Sequence, residues 1–471
     1  MIGFARPATP ARPAARPHPA VDGHPLAPQQ RGLWFLQQLR PSSSEYNVQI
    51  ALRLRGHLRI GCLQNALNLL VLRHEPLRTR IAPDDSGVPR QYVAPTLHIG
   101  LAAERSATTA DTARRISEIL RQEVARPFDL AAEWPMRVRL VKLGDDDHLL
   151  VMTFNHLAMD GVSLSIVSAE LSKAYAALAA GEPVTLPPLA VSFTDYARWL
   201  AERGVDDAGL EYWSRELDGV GDLDLPADRS GHGVGASMIA LRREVAAQTV
   251  QGLTRLAREA GTSLFSAALS CYALLLHRCT GQRDFAIGTP VAGRTEAVCE
   301  PLVGCFLNTV CVRIRVEPDQ PVRHLVRQTA GALARGLQYQ SVPFGDVVRA
   351  VRPERANTRH PMFSAFCSVL DDAPPTFAMP GLRADVVVAD YPVARFDLNA
   401  TFALGLDRAA VQMEFSDALF EPATAQRLSD RLVRVLDWVA AGPDRRVDAV
   451  PLMGRAESSA VLDLLNRRGD G

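Results

Sequence analysis

The sequence predicts a mixed α/β (α+β) protein built as two lobes, on three observations. Its 471 residues exceed what one hydrophobic core ordinarily organises. Both halves interleave amphipathic helical periodicity with strand-like alternation or short apolar runs. Between them lies a Pro-rich stretch, "GEPVTLPPLAVS" (181–192), expected to be a crossing linker. The expected organisation is a Pro-, Ala- and Arg-rich leader over 1–24, an N-terminal lobe over 25–185, a C-terminal lobe over 186–460 and a tail or linker over 461–471.

The elements follow from local pattern. The leader has no apolar signal-peptide core and the composition of a disordered or polyproline-II segment, so ordered sequence begins near Leu26. In "CLQNALNLLVLRHEPLRTRI" the apolar residues Leu63, Leu67, Leu70 and Val71 share one helical face, and Pro76 ends the helix. Met136, Val138 and Leu140 alternate with Arg137 and Arg139, which predicts a half-buried strand. "GDDD" (144–147) is a solvated hairpin turn rather than a metal site, and "HLLVMTF" after it is a strand buried on both faces. "VSLSIVSAELSKAYAALAAG" is a helix closed by Gly181. The second half repeats the mixture. "GTSLFSAALSCYALLLHR" and "VRHLVRQTAGALARGLQYQ" are helices, and "TVCVRIRV" is a strand with Val310, Val312, Ile314 and Val316 on one face. "MFSAFCSVL", "ADVVVAD", "RFDLNATFAL" and "VQMEFSD" are strands, and "ATAQRLSDRLVRVLDWVAAG" closes the chain as a helix.

Composition excludes several classes. Lys+Arg and Asp+Glu are 52 each, so there is no electrostatic reason to expect nucleic acid as a partner. No apolar run reaches the roughly 18 residues a membrane span needs. The nearest, "SLFSAALSCYALLL", is interrupted by serines and is expected to be a buried helix. The 7 cysteines lack CxxC or zinc-type spacing, which points to reduced thiols in a cytoplasmic protein. No phosphate-binding loop or dinucleotide fingerprint occurs, so neither ATP, NAD nor a metal is expected. The five tryptophans, Arg313 and Arg315 need no reading beyond core anchors and a strand's polar face.

The chemistry concentrates in "TFNHLAMDGVS" (153–163), at a strand-to-helix turn where rigid elements hold both sides of a loop. His156 can take a proton from an attacking amine or alcohol near neutral pH. Asp160 can fix the ring, or brace the loop through an arginine. Gly161 permits a tight turn and close approach of a substrate to the backbone. The chemistry suggested is acyl transfer to a nucleophile; the bare His-x-x-x-Asp spacing is equally compatible with a structural histidine.

"FNHLAMDGVS" resembles the HHxxxDG core motif of nonribosomal peptide synthetase condensation domains, in the chloramphenicol-acetyltransferase-like superfamily. Other motifs follow in the family's order: "LAPQQRGLWFL" (26–36), "RHEPLRTRI" (73–81), "FTDYARW" (193–199), "YWSREL" (212–217), "IGTPVAGR" (287–294), "VGCFLNTV" (303–310), "SVPFGDVV" (341–348), "RHPMF" and "RFDLNATF". The resemblance implies two chloramphenicol-acetyltransferase-like lobes in a V with a central tunnel. It implies no cofactor bound by the domain itself: donor acyl or peptidyl thioesters arrive on the phosphopantetheine of partner carrier proteins. The acceptor, an amine or alcohol, comes on a second carrier or as a small molecule, and an amide or ester results.

Carried onto this sequence, His156 matches the histidine that acts as base or positions the nucleophile. Asp160 matches an aspartate whose task is structural, paired with Arg294. Gly161 matches the motif glycine, with a backbone N–H that could favour an oxyanion. Arg78 belongs to a segment supporting the site, with His74 a helix-end packing residue. Asn308 lies in a tunnel-roofing segment, and Ser163 is assigned to the tunnel lining. Asn155 stands where the first motif histidine is expected. It cannot act as a base but can keep a hydrogen bond. The alternatives are an acyl-CoA-dependent acyltransferase, an epimerisation domain, and a non-catalytic domain recruiting a carrier or tailoring enzyme. A free-standing, chain-releasing enzyme is a further possibility.

Overall fold

A computed structural model describes residues 23–105, 111–230, 237–351, 362–370, 376–387, 393–405, 409–454 and 457. The expected leader, all but its last two residues, and the 461–471 tail lie outside the described residues, as does the start of "RHPMF". In chain order the elements begin β1 (His24–Pro25), α1 (Pro28–Leu39), β2 (Asn47–Gly56), α2 (Ile60–Arg73), β3 (Thr79–Pro83), β4 (Pro89–Val93), β5 (Ala103–Arg105), α3 (Thr112–Ala125), β6 (Met136–Gly144), β7 (Asp147–Asn155), α4 (Gly161–Ala180) and α5 (Phe193–Arg203). They continue α6 (Asp207–Glu216), β8 (Met238–Val245), α7 (Ala247–Glu259), α8 (Leu264–Thr280), β9 (Asp284–Val291), β10 (Asn308–Arg315), α9 (Val322–Gln338), α10 (Phe344–Val351), β11 (Ala365–Val369), β12 (Leu382–Val387), β13 (Leu398–Leu404), β14 (Ala409–Ser416) and α11 (Pro422–Ala441).

Two compact units result. The first comprises the described residues of Met1–Asp206, Ala292–Asn308 and Ala373–Pro392; the second those of Asp207–Val291, Thr309–Asp372 and Val393–Gly471. A single cut after residue 185 therefore does not divide the chain. The Pro-rich 181–192 stretch is irregular as expected, but it joins α4 to α5 inside the first unit instead of crossing to the second. Two later segments return to the first unit, one of them carrying β12, which pairs antiparallel with β2 (Leu382 opposite Gly56).

The first unit is organised by a sheet ordered β12-β2-β7-β6-β5. The 144–147 turn closes the β6–β7 hairpin, its Asp147 held by Arg53 at 2.6 Å. β7 is central, and all its residues after Asp147 are buried. Its even-numbered Leu150, Met152 and Phe154 pack with α2 and α4 through Leu67, Leu70, Val167 and Leu171. Its odd-numbered Leu149 and Val151 pack against Ile116, Ile119 and Leu120 of α3. The strand's continuous apolar run reflects helices on both faces, although its neighbours are antiparallel. α2 ends at Arg73, and Pro76 sits inside a following 3-10 turn, Glu75–Arg78. α4 ends at Gly181 with φ 76°.

In the second unit a sheet ordered β10-β9-β11-β13-β14-β8 packs with α7, α8, α9 and α11 in one large apolar core. β11 is parallel to both β9 and β13, so each pair needs a long crossover: β9 reaches β11 through β10, α9 and α10, whereas β11 reaches β13 through the excursion that carries β12 in the first unit. Among the described residues no single helix is long and apolar enough to cross a membrane. α7 and α8 together pass by length and composition, but the chain bends by 107° between them. The middle of α8, Ser266 to His277, is buried without interruption, as its sequence predicts.

Candidate functional site

β7 delivers "NHLAMD" at its C-terminal end, and the loop is bonded on every side. The His156 N–H donates to the Tyr46 carbonyl at 2.7 Å. Asn155 uses both ends of its amide: Oδ1 accepts from the Leu157 N–H at 3.0 Å, and Nδ2 donates to Gln37 Oε1 at 3.1 Å. The Leu157 carbonyl accepts from Gln30 Nε2 at 3.0 Å. Gln37 in turn donates to the Phe128 carbonyl at 3.0 Å. Backbone freedom at residue 156 is thereby removed from both flanks, and the residue as a whole is 9% exposed.

Asp160 is the N-cap of α4, and its two oxygens are occupied. Oδ1 accepts from the Ser163 N–H at 2.8 Å and from Arg294 Nη2 at 2.9 Å; Oδ2 accepts from the Phe306 N–H at 3.1 Å. The Ser163 hydroxyl lies 2.7 Å from Asp160 Oδ1 and 3.1 Å from the Gly304 carbonyl, so its one proton can serve either. It accepts from the Gly304 N–H and from Arg294 Nη2, each at 3.0 Å. The Arg294 guanidinium lies 3.9 Å from the centre of the Phe306 ring. The Arg294 and Asp160 side chains are 5% and 2% exposed. Burial pulls the arginine below its ordinary range, and the Asp160 charge opposes that shift. Two glycines make the approach possible: a Cβ on Gly304 would overlap the Phe193 ring, and Gly293, at φ +64°, faces the Phe306 carbonyl so closely that no side chain fits.

The predicted residues therefore separate by environment. Asp160 and Arg294 meet as expected. Ser163, assigned to a substrate-lining role, is wholly buried and fully engaged with Asp160, Arg294 and Gly304, because the third residue of a capped helix faces its cap. Gly161 is exposed, lacks a positive φ and, apart from its chain neighbours and its own helix backbone, has nothing within 4 Å of where a Cβ would stand. The turn does not need a glycine, while the open space leaves its backbone approachable. Arg78 donates to the carbonyls of Val71, Leu72 and Ala94, so it clamps the end of α2 to the strand beyond. Asn308 is buried at the start of β10.

Other groups were missed by motif reasoning. Gln30 and Gln37, seven residues apart on α1, present buried amides to the loop; a polar pair on a helix's apolar face was their available signal. His74, read as helix-end packing, caps α2 and also bonds Glu170 of α4 at 2.9 Å, while Arg73 holds the other Glu170 oxygen at 3.0 Å. A cleft of about 280 Å³ adjoins Arg73 and His74, walled by Leu189–Phe193 and Leu302–Val303.

A mixed α/β scaffold with a histidine loop after a doubly buried strand, braced through an N-capping aspartate by a distant arginine, defines an acyltransferase-like class of domain. Comparison with known proteins narrows it. The condensation-domain family matches residues 21–462, and the chain belongs to that family. It is 34% identical over 445 residues to phosphinothricin tripeptide synthetase PhsC of Streptomyces viridochromogenes, covering 92% of this chain and 40% of that protein. It is 34% identical over 462 residues to the isonitrile lipopeptide synthase of Mycobacterium tuberculosis, covering 94% of this chain and 18% of that one. The chain thus spans well under half the length of these relatives. Among solved structures, the X-domain in complex with OxyB from teicoplanin biosynthesis superposes with a TM-score of 0.84 at 26% identity, covering 95% of this chain and 99% of that one. The first condensation domain of the CDA synthetase gives 0.78 at 22%, covering 93% and 100%. The chloramphenicol-acetyltransferase-like fold expected from the sequence is the fold of these neighbours.

Proposed function

We propose that this domain joins an acyl or peptidyl group, held as a thioester on the phosphopantetheine of a donor carrier protein, to an amine or alcohol acceptor. The observation that carries the proposal is the contrast between His156 and Asp160. The histidine is held at the exit of a buried strand, whereas the carboxylate four residues on is consumed in bracing. In the step itself the acceptor nitrogen attacks the thioester carbonyl carbon, and the new C–N bond forms as charge moves to the oxygen. His156 takes the proton the nitrogen loses. The Gly161 N–H, at the positive end of α4, favours the oxyanion. Collapse breaks the C–S bond, and the leaving thiolate takes the proton back from His156. Asp160 and Arg294 are positioning residues, and Asn155 keeps a structural hydrogen bond where the motif has its first histidine. The seven free cysteines suit a reducing cytoplasm.

The test is a condensation assay with acyl-loaded carrier proteins and acyl-CoA as donors, and carrier-bound and free amines and alcohols as acceptors, followed by mass spectrometry. The expected result is a product that falls about 100-fold or more in His156→Ala, with unfolding stability changed by less than about 1 kcal/mol. Equal product from the variant removes His156 from the mechanism, and product from acyl-CoA alone reassigns the donor. The likeness to the X-domain favours one second reading, a domain that binds a partner protein without condensing. Carrier binding with no product from any acceptor supports that reading.

A further inference from the structure

We infer that Gln37 and Asn155 form a length-matched pair that positions His156, so that the asparagine is a working replacement for the first motif histidine only because α1 supplies a glutamine. The inference rests on the reading of His156 as the acid–base group.

Asn155 Oδ1 accepts from the Leu157 N–H, closing a turn around His156, and its Nδ2 is spent on Gln37. Gln37 is 6% exposed, and its own Nε2 is spent on the Phe128 carbonyl. Each amide therefore has one donor–acceptor orientation that satisfies both partners. Reversing either would set donor against donor or acceptor against acceptor in a buried site. On the far side Gln30, 1% exposed, holds the Leu157 carbonyl and is itself oriented by the Ala27 N–H on its Oε1.

Side-chain length decides the match. An imidazole at 155 can place Nδ1 where the asparagine has Oδ1, but its Nε2–H donor sits one atom farther out than the asparagine Nδ2. With Gln37 opposite, that donor and Gln37 Oε1 would collide or the imidazole would swing away. Shortening residue 37 by one methylene makes room for it. Gln37 is thus a positioning residue that acts through Asn155 on residue 156.

The experiment labels the histidines of the full chain with ¹³C and ¹⁵N, assigns His156 by loss of its signal in His156→Ala, and follows its ring through a pH titration. The variants are Gln37→Leu, Asn155→His and Asn155→His/Gln37→Asn. In both single variants the His156 midpoint is expected to move by about 0.5 pH unit or more, or its tautomer signal to change. kcat is expected to fall about 10-fold or more with KM within about twofold, and the double variant to regain most of both. A folded Gln37→Leu protein with an unmoved His156 signal overturns the inference, as does a double variant no better than Asn155→His. If Gln37→Leu fails to fold, Gln37→Asn in the Asn155 background replaces it, with the same readouts. The ring titration is read without substrate, so a protein that condenses nothing yet shows these shifts fails the proposed function and not the pairing.

Discussion

Two buried acid–base clusters lie ten residues apart on α4, and they are built differently. At the helix start, Asp160 is met by an arginine, a hydroxyl and the peptide N–H of Phe306, all but Ser163 from a chain segment more than 130 residues on. In mid-helix, Glu170 is met by His74 and Arg73, both from the end of α2. The first cluster ties a returning segment to the His156–Asp160 loop, and its hydrogen bonds include backbone donors that no side-chain substitution removes. The second is a helix-to-helix tie made of side chains alone, at the edge of a cleft. Burial by itself does not rank these carboxylates; what each one fixes does.

The largest effect is expected from removing Asp160. Asp160→Ala strips the helix cap and leaves the Arg294 charge buried over the Phe306 ring, which costs about 3–5 kcal/mol in urea unfolding. Much of that cost is the unpaired arginine. The double variant Asp160→Ala/Arg294→Met should therefore lose clearly less than the sum of the two single losses. Additive losses would mean that the two residues act independently and that Asp160 is no more than a helix cap.

How much of this was legible beforehand depends on range. The β6–β7 hairpin, its turn, α4 and the Gly181 cap follow from local pattern, because hydrophobic period and turn chemistry act over a few residues. The pairing of Asp160 with Arg294 was available only through the family resemblance, since nothing in the spacing of two residues 134 apart indicates contact. "ADVVVAD" reads as a strand, but its place on β2 in the first unit is not written in it, because strand partners are chosen by tertiary packing. The same holds for the Pro-rich 181–192 stretch, whose composition announces a loop and not which units it joins. Ser163 is placed by its position in the motif, which does not say that its hydroxyl turns inward to Asp160, Arg294 and Gly304. Gln30, Gln37 and Glu170 were missed because amphipathic scoring treats a polar residue on an apolar face as noise.

An intermediate effect is expected at Glu170, and it should depend on pH. Burial raises this carboxyl, but the hydrogen bonds and charges of His74 and Arg73 outweigh that and hold it below its ordinary value of 4.5. A group depressed in the folded state contributes stability above its unfolded value, and loses it as pH falls through the folded one. Glu170→Gln should therefore cost about 1–3 kcal/mol at pH 7 and progressively less below about pH 4.5, as both proteins come to carry a neutral side chain there. Urea midpoints measured from pH 7 down to pH 3.5 check this. A gap between the two proteins that widens on acidification would reverse the sign assigned to the cluster.

The smallest effect is expected at the turn of the β6–β7 hairpin, at the far end of β7 from His156. Arg53 holds Asp147 through Nε at 3.0 Å and Nη2 at 2.6 Å, a geometry better aligned than most surface pairs. Yet the side chains are 29% and 23% exposed, so water and salt screen what burial preserves at Asp160. Asp147→Ala should cost no more than about 1 kcal/mol and should lose less as salt rises from 0.05 M to 0.5 M. Product formation should stay within about twofold, because β7 is anchored by its packed faces between Asp147 and His156 and not by its turn. A loss as large as that of Asp160→Ala would show that bidentate geometry outweighs burial in this hairpin. Pairing quality, and not the segment a carboxylate ties down, would then order the clusters.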